Sequence, residues 1–552
     1  MTFFTAYKAI DVKVPIYFIE STAPDNVDDT DKISTDPLPH LQLIPDSDDA
    51  VRQIAQDLAK GTHPNLVVMV HGFNNPKPDV LKTFTAAAMA INGDDKIYHR
   101  EGLVCVGYRW PSEKMGQPWH GTWDALPTLP TWILYLGAAL AAVPFLLYYF
   151  APDSSHWAIN IFQYVRDRIA DHLVTMAGLT LAGLVLTAAL LRTIVYFRDN
   201  YRASNYGIPD LIQIIRAIDR EIVRQRHRPG GSDTLHRNVQ LSFIGHSMGA
   251  FVVTNTIRTL SDVFVTPVEA LNAFGAAGPT PDNRLQEIGS VFKLKRFVLV
   301  SPDIPAEALL SNRGNFLASA LSRFEEAYLF SNEGDEVLRQ ISTLANYFVF
   351  PTKSRNHGFR LGNVEILSSS FGAINADASG GFLQTLRIGN LTLQQLYAAL
   401  DIAEARRQPD EDRRVRPQVS LPEVFTYFDC TDYVDEDENG KKRPLLTFAK
   451  WRKRHDPGAK LRWYSHLHLL FAYVACGQKP NVHGGYFEGV FLQRLIYRLA
   501  CLGFDETIVA YGNEAELGKQ CESKQIRMLV SPALRAAGKG PAAAQLRARR
   551  TA

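Results

Sequence analysis

Cysteine is scarce in this chain, and its placement suggests no shared task. Five cysteines (Cys105, Cys430, Cys476, Cys501 and Cys521) are scattered over 552 residues, an odd number without a CxxC pair. That pattern argues against a disulfide framework, offers no zinc signature, and is expected of free thiols in a reducing compartment. Neither sign of charge dominates: 59 Lys and Arg stand against 57 Asp and Glu, a formal balance of +2. Without a basic excess to neutralise phosphates, general nucleic-acid binding is not expected. The signature of disorder is missing too, since 46% of residues are hydrophobic and 21% charged. The N-terminal stretch has no unbroken apolar core, because Lys8, Asp11 and Lys13 interrupt it, and it does not read as a secretory signal. No internal repeat at a fixed period is visible.

Long uncharged runs, by contrast, are present. Residues 131–150 (TWILYLGAALAAVPFLLYYF) and 173–191 (LVTMAGLTLAGLVLTAALL) carry no charge over twenty and nineteen positions. At about 1.5 Å per residue each could span a hydrocarbon core of about 30 Å as a helix. Trp132, Tyr135, Tyr148, Tyr149 and Trp157 sit near their ends, where amphipathic rings favour the headgroup layer. The expectation is a transmembrane helical hairpin inserted over 113–192, with the lipid bilayer as partner. The connecting stretch carries Arg166 and Arg168, whereas the outer flanks carry Arg109, Lys114, Arg192, Arg198 and Arg202. The positive-inside rule then puts the bulk of the chain on the cytoplasmic side of the inner membrane. Two buried helices of a large soluble domain, or a soluble partner-binding hairpin, are the alternatives.

The rest of the chain alternates short apolar runs with helical patterns. The strand candidates are 14–20, 65–70, 103–108, 239–244, 295–300, 327–330 and 425–430, and 49–60 and 209–226 read as helices. Near-continuous apolar strands suit a parallel sheet buried on both faces. Alternation of β and α predicts a doubly wound α/β fold, with residues 1–112 and 193–530 forming its two parts. Sites in such sheets lie beyond the carboxyl ends of the strands. The stretch 531–552, with Arg535, Lys539, Arg547, Arg549 and Arg550 and no acid, reads as a mobile basic tail.

The sharpest chemical signal is Gly245-His246-Ser247-Met248-Gly249, which follows the apolar run VQLSFI and precedes a helix-compatible AFVVTNTIRTL. Strand, tight turn and helix are the context in which G-x-S-x-G presents a nucleophilic serine. Neighbours without a Cβ let strand and helix approach closely around the strained residue. Upstream, the run NLVVMV ends in His71-Gly72-Phe73-Asn74-Asn75. The backbone N–H groups of Phe73 and Met248 are the candidate donors of a two-part oxyanion hole. His246 is not expected to be the base, since the turn should direct its side chain away.

HGFNN, YRWPS (108–112), YFRDNYRASNYG (196–207), GHSMG, SPDI (301–304), FSNEGDEVLR (330–339) and RLGN (360–363) occur in that order. Together they resemble a bacterial branch of the α/β-hydrolase superfamily, over about residues 65 to 490. The resemblance implies an α/β-hydrolase fold and a serine hydrolase whose triad runs Ser, acid, His along the chain. It places the acid after the strand ending at Phe330, where Asp335 is preferred; Asp303, after the preceding strand in Ser301-Pro302-Asp303, is second, and Glu333 third. Asp335 could instead cap the helix that follows. For the histidine, His483 in Asn481-Val482-His483-Gly484-Gly485 is preferred over His466, which sits with His468 in an apolar segment; His455 lies in a basic stretch. The expected activity is hydrolysis of carboxylic esters, with lipid or acyl-ester substrates, through an acyl-enzyme on Ser247. Neither cofactor nor metal is implied. An amidase, thioesterase or peptidase using the same residues, and a non-catalytic membrane scaffold, are the alternatives.

Overall fold

The computed structural model describes residues 4–23, 40–112, 195–227, 238–260, 287–310, 320–321, 323–343, 358–376, 381–405, 421–436, 442–447, 461–475 and 481–538. The chain divides into two compact units, one of residues 1–112 and 199–552, the other of residues 113–198. Of the second unit only 195–198 is described, and it is helical. Both runs expected to cross a membrane, 131–150 and 173–191, lie outside the described residues, and among those described no helix is long and apolar enough to do so.

The larger unit is α/β, built on a large, mostly parallel sheet. Its strands are β1 (Phe4–Ala9), β2 (Ile16–Ser21), β3 (Leu41–Ile44), β4 (Asn65–Val70), β5 (Leu103–Arg109), β6 (Val239–His246), β7 (Glu287–Ile288), β8 (Phe292–Val300) and β9 (Glu326–Ser331), with Gly372–Ile374, Phe425–Asp429 and Arg527–Leu529 completing it. The seven apolar runs read from the sequence form its parallel centre, in the order β2, β5, β4, β6, β8, β9 and Phe425–Asp429. Every residue of β4 and β5 is buried, which is why these segments read as unbroken apolar runs rather than alternating ones. The margins were not foreseen. β1 and β3 are antiparallel additions at one edge, and Arg527–Leu529 runs antiparallel to Phe425–Asp429 at the other. Three or four residues, or a mixed pattern such as FTAYKA, carry too little apolar periodicity to stand out.

Helices pack against this sheet through apolar stripes. The first, α1 (Ser47–Leu58), starts two residues before the expected 49–60 because the Asp46 side chain accepts the Asp48 N–H at 3.2 Å and caps it there. Next come α2 (Lys77–Asn92) and α3 (Ile208–Arg226), the latter burying Leu211, Ile214, Ile215, Ile218 and Ile222 along one side. Then follow α4 (Met248–Leu260), α5 (Trp463–Ala475) and α6 (Val490–Cys501). Phe84 and Ile91 of α2 and Leu492, Leu495 and Leu499 of α6 share one core with Val67, Met69, Ile244 and Val298 of the sheet. The stretch after 530 is not wholly a tail. Pro532–Gly538 is helical, and Ser531 ties it down by donating its N–H to Thr426 Oγ1 and its hydroxyl to the Glu423 carbonyl; 539–552 lies outside the described residues.

The first turn of α4 sits directly on the end of β4. A Cβ at Gly249 would lie 2.3 Å from the Val70 carbonyl oxygen and 2.5 Å from that of His71, both backbone atoms that cannot swing aside. Gly249→Ala is therefore expected to destabilise the fold by at least about 1–3 kcal/mol, the usual cost of overpacking. Its midpoint in a denaturant titration should fall accordingly, and an unchanged midpoint would mean the helix and strand are not this close.

Candidate active site

Three neighbouring parallel strands lead into loops that hold a left-handed residue other than glycine. Asn74 (φ 57°) follows β4, Ser247 (φ 54°) follows β6 and Ser301 (φ 45°) follows β8. Such conformations cost roughly 1–3 kcal/mol each for residues with a Cβ and persist only where the surroundings enforce them. At Ser247 the enforcement is visible. Its N–H donates to the Val300 carbonyl at 3.0 Å, and its carbonyl accepts from the Asp303 and Ala250 N–H groups. A Cβ on Gly245 would come within 2.6 Å of Ala250 Cα, so the glycines let β6 and α4 close around the serine.

The serine hydroxyl faces a histidine. His483 Nε2 lies 2.7 Å from Ser247 Oγ, and His483 Nδ1 lies 2.7 Å from Asp335 Oδ2. Thus residues 247, 335 and 483, which come from three distant parts of the chain, form one hydrogen-bonded row. Ser247 and Asp335 are fully buried, while the His483 side chain is 13% exposed. The Asp335 carboxylate also performs the capping role foreseen for it. Oδ1 accepts the N–H groups of Val337 and Leu338 at the start of the π-helix Val337–Ser342, leaving Oδ2 for His483 and the Ser301 hydroxyl. Four donors offset the desolvation of a buried carboxylate.

The loop bearing His483 is held through its main chain. Asn332 Nδ2 donates to the Val482 carbonyl at 2.8 Å, and His246 Nε2 donates to the His483 carbonyl at 3.0 Å. The His246 ring stands 5.1 Å from that of His483. Burial, helped by the neighbouring His483, pulls its pKa down to about 4, so it stays neutral and serves the loop rather than the serine. Asn363 in turn donates to the carbonyls of Asn332 and Asp335, which assigns a task to the RLGN segment.

On the opposite side of Ser247 runs the end of β4. A Cβ at Gly72 would fall 2.8 Å from Ser247 Cβ, so the loop after β4 passes alongside Ser247. The Gly72 carbonyl accepts from His71 Nδ1 at 2.7 Å and from Asn75 Nδ2 at 3.2 Å. Since C=O and N–H of a trans peptide point opposite ways, pinning that carbonyl also fixes the direction of the Phe73 N–H. His71 stacks on Trp110 (centroids 5.2 Å apart); burial and the nearby Arg109 pull its pKa down to about 3, so the ring is neutral, with its proton on the Nδ1 that faces the Gly72 carbonyl and Nε2 accepting the Trp110 N–H. Met248 opens α4, where first-turn N–H groups have no intrahelical acceptor.

The other residues considered are engaged elsewhere. Asp303 accepts the Ser342 hydroxyl at 3.0 Å and lies 3.4 Å from Arg360 Nε. Glu333 accepts the Leu461 N–H. His466 Nδ1 is 2.5 Å from Glu336 Oε1, and its Nε2 meets Arg339 Nη1 at 2.7 Å, so both ring nitrogens are taken. His455 lies outside the described residues. Ser301, Asn332, Asn363, Ser112 and Asp199 were not singled out from the sequence. Each belongs to one of the ordered segments SPDI, FSNEGDEVLR, RLGN, YRWPS and YFRDN, which was the available signal. Among the described residues no group of three or more His, Cys, Asp or Glu side chains is placed to hold a metal ion.

Burial alone would lower the His483 pKa, but the charge and hydrogen bond of Asp335, with Asp303 beyond, outweigh it and raise the value above 6.5. A stabilising contribution follows that is complete below about pH 6.5 and is lost as pH rises through the raised pKa. An NMR titration of the full-length chain should place His483 above 6.5, and Asp335→Asn should lower the value because burial then loses its main opponent. A titration unchanged by Asp335→Asn would show that the pair does not interact in solution. No family model, curated protein or solved structure matches the chain.

Proposed function

We propose that this chain is a membrane-anchored serine hydrolase of the α/β-hydrolase superfamily that cleaves carboxylic esters, with lipid or acyl-ester substrates. The observation that carries the reading is the row Ser247 Oγ, His483 Nε2, His483 Nδ1, Asp335 Oδ2, presented on a left-handed turn between strand and helix. A serine hydroxyl is a weak nucleophile until a base takes its proton as it attacks. His483 Nε2 is within reach to do so, and Asp335 holds the tautomer with Nδ1 protonated and stabilises the imidazolium that forms.

In this reading Ser247 Oγ adds to the ester carbonyl and its proton passes to His483. The negative charge on the carbonyl oxygen is met by the N–H groups of Phe73 and Met248. Collapse expels the alkoxide, protonated by His483, and leaves an acyl group on Ser247. Water, deprotonated by His483, then attacks the acyl-enzyme and releases the acid. The constellation itself does not discriminate esters from amides or thioesters. The preference for lipid esters is supported by the uncharged runs at 131–150 and 173–191, which would keep the site near a bilayer with the hydrolase unit on the cytoplasmic face.

Ser247→Ala should abolish labelling by a fluorophosphonate probe and all ester hydrolysis while leaving the fold intact. Persistent labelling at another serine would defeat the assignment. His483→Ala should reduce turnover by several orders of magnitude, as loss of a triad base does. His466→Ala should act on stability instead, through the lost contacts to Glu336 and Arg339. An inactive His466→Ala beside an active His483→Ala would reverse the choice of base.

For the membrane part, full-length protein should sediment with membranes, resist alkaline carbonate and require detergent. Release by carbonate would reduce the two runs to buried helices. A panel of acyl esters of increasing chain length should show rising kcat/KM, and a flat or falling series would remove lipids from the proposal.

A further inference from the structure

The segments leading into and out of residues 113–198 end on a pair of buried side chains that touch each other. Ser112 is the last residue before that unit and Asp199 the first after it. Both are fully buried, and Ser112 Oγ donates to Asp199 Oδ2 at 2.7 Å. The same carboxylate oxygen accepts the Asn74 N–H at 2.9 Å, and Ser112 Oγ accepts the Asn75 N–H at 3.2 Å. Arg202, one helical turn on, stands 3.8 Å from Asp199 Oδ1. Two consecutive backbone N–H groups of the HGFNN loop are thus held by the two stems of the insertion.

Those two N–H groups belong to the part of the loop that needs holding. Asn74 has φ 57°, a left-handed conformation that asparagine tolerates better than most residues with a Cβ, and it turns the loop here. Fixing Asn74 and Asn75 places the Asn75 side chain, whose Nδ2 donates to the Gly72 carbonyl. That carbonyl sets the direction of the Phe73 N–H beside Ser247. A chain of hydrogen bonds therefore runs from a carboxylate at the foot of the insertion to a donor at the nucleophile.

We propose that Asp199, with Ser112, is a positioning pair for the oxyanion hole, so that the closure of the insertion's stems and the competence of the catalytic centre are one structural event. This rests on the serine-hydrolase reading of Ser247. It also gives the segments YRWPS and YFRDN a shared purpose: each supplies one member of the pair on one side of the inserted unit.

The test uses the full-length chain in detergent with a chromogenic acyl ester, a fluorophosphonate probe and an aryl trifluoromethyl ketone, whose serine adduct carries an oxyanion. Asp199→Asn keeps the shape and removes the charge. It should lower kcat about 100-fold or more with KM changed less than about twofold, the scale of a displaced oxyanion donor. The ketone's inhibition constant should rise in step with the loss of kcat, and fluorophosphonate labelling should slow. Ser112→Ala, which leaves the carboxylate in place and removes one link, should show the same pattern at about 10-fold. It covers the case in which Asp199→Asn does not fold. Wild-type kcat in either folded variant, or a loss of kcat that leaves ketone binding untouched, would overturn the proposal. Absence of Ser247 labelling in the wild type would overturn the hydrolase reading, and the proposal with it; a labelled wild type beside an unaffected Asp199→Asn would sink the proposal alone.

Discussion

Everything at the candidate site hangs on one strained residue. Ser247 carries a left-handed backbone in the turn between β6 and α4, and it can do so only because strand and helix are pressed together on either side of it. Gly245 against Ala250 and Gly249 against the end of β4 are the contacts that make the approach possible. The consequence is chemical as well as steric. Here the hydroxyl faces His483 Nε2, at the start of helix α4. The local cost, about 1–3 kcal/mol, is small against the cooperative stability of a large parallel sheet.

The same device recurs beside it. Asn74 and Ser301 are also left-handed, in the loops that follow the two strands flanking β6. Each redirects its chain toward Ser247: the first turns the HGFNN loop, and the second brings its hydroxyl onto the Asp335 carboxylate. The loop carrying His483 meets Ser247 and Asp335 from the far end of the chain. Polar side chains then lock the loops to one another through main-chain groups, with Asn332 and His246 on the 482–483 carbonyls and Asn363 on the 332–335 turn. Rigid strands set the positions, and these bonds remove the remaining freedom of the loops.

The two histidine–carboxylate pairs show how context separates chemistry from structure. His466 and His483 each contact a buried acid, Glu336 and Asp335, adjacent in sequence. The far nitrogen of His466 meets the Arg339 guanidinium, which has only donors to offer, whereas the far nitrogen of His483 meets a serine hydroxyl that can give up a proton. Composition cannot distinguish the two histidines. The identity of the third partner does.

By itself the amino-acid order determined the parallel centre of the sheet, because strands buried on both faces must be continuously apolar and so announce themselves. It also determined the tight turn at Ser247, since glycines on both sides of a serine let a strand and a helix close around it. The choices of Asp335 over Asp303 and His483 over His466 leaned on chain order and flanking glycines, and the geometry now sets the preferred residues side by side. What only the tertiary structure decided is what depends on bonds between distant segments. The dual use of Asp335 as cap and as partner of His483, the neutral His246 turned onto the His483 carbonyl, the taken nitrogens of His466, and the Asp199–Ser112 bridge are of that kind. Each rests on at least one hydrogen bond between residues tens to hundreds of positions apart. A hydrogen bond of that sort leaves no periodicity in the sequence, and only the packed chain brings its two ends within 3 Å.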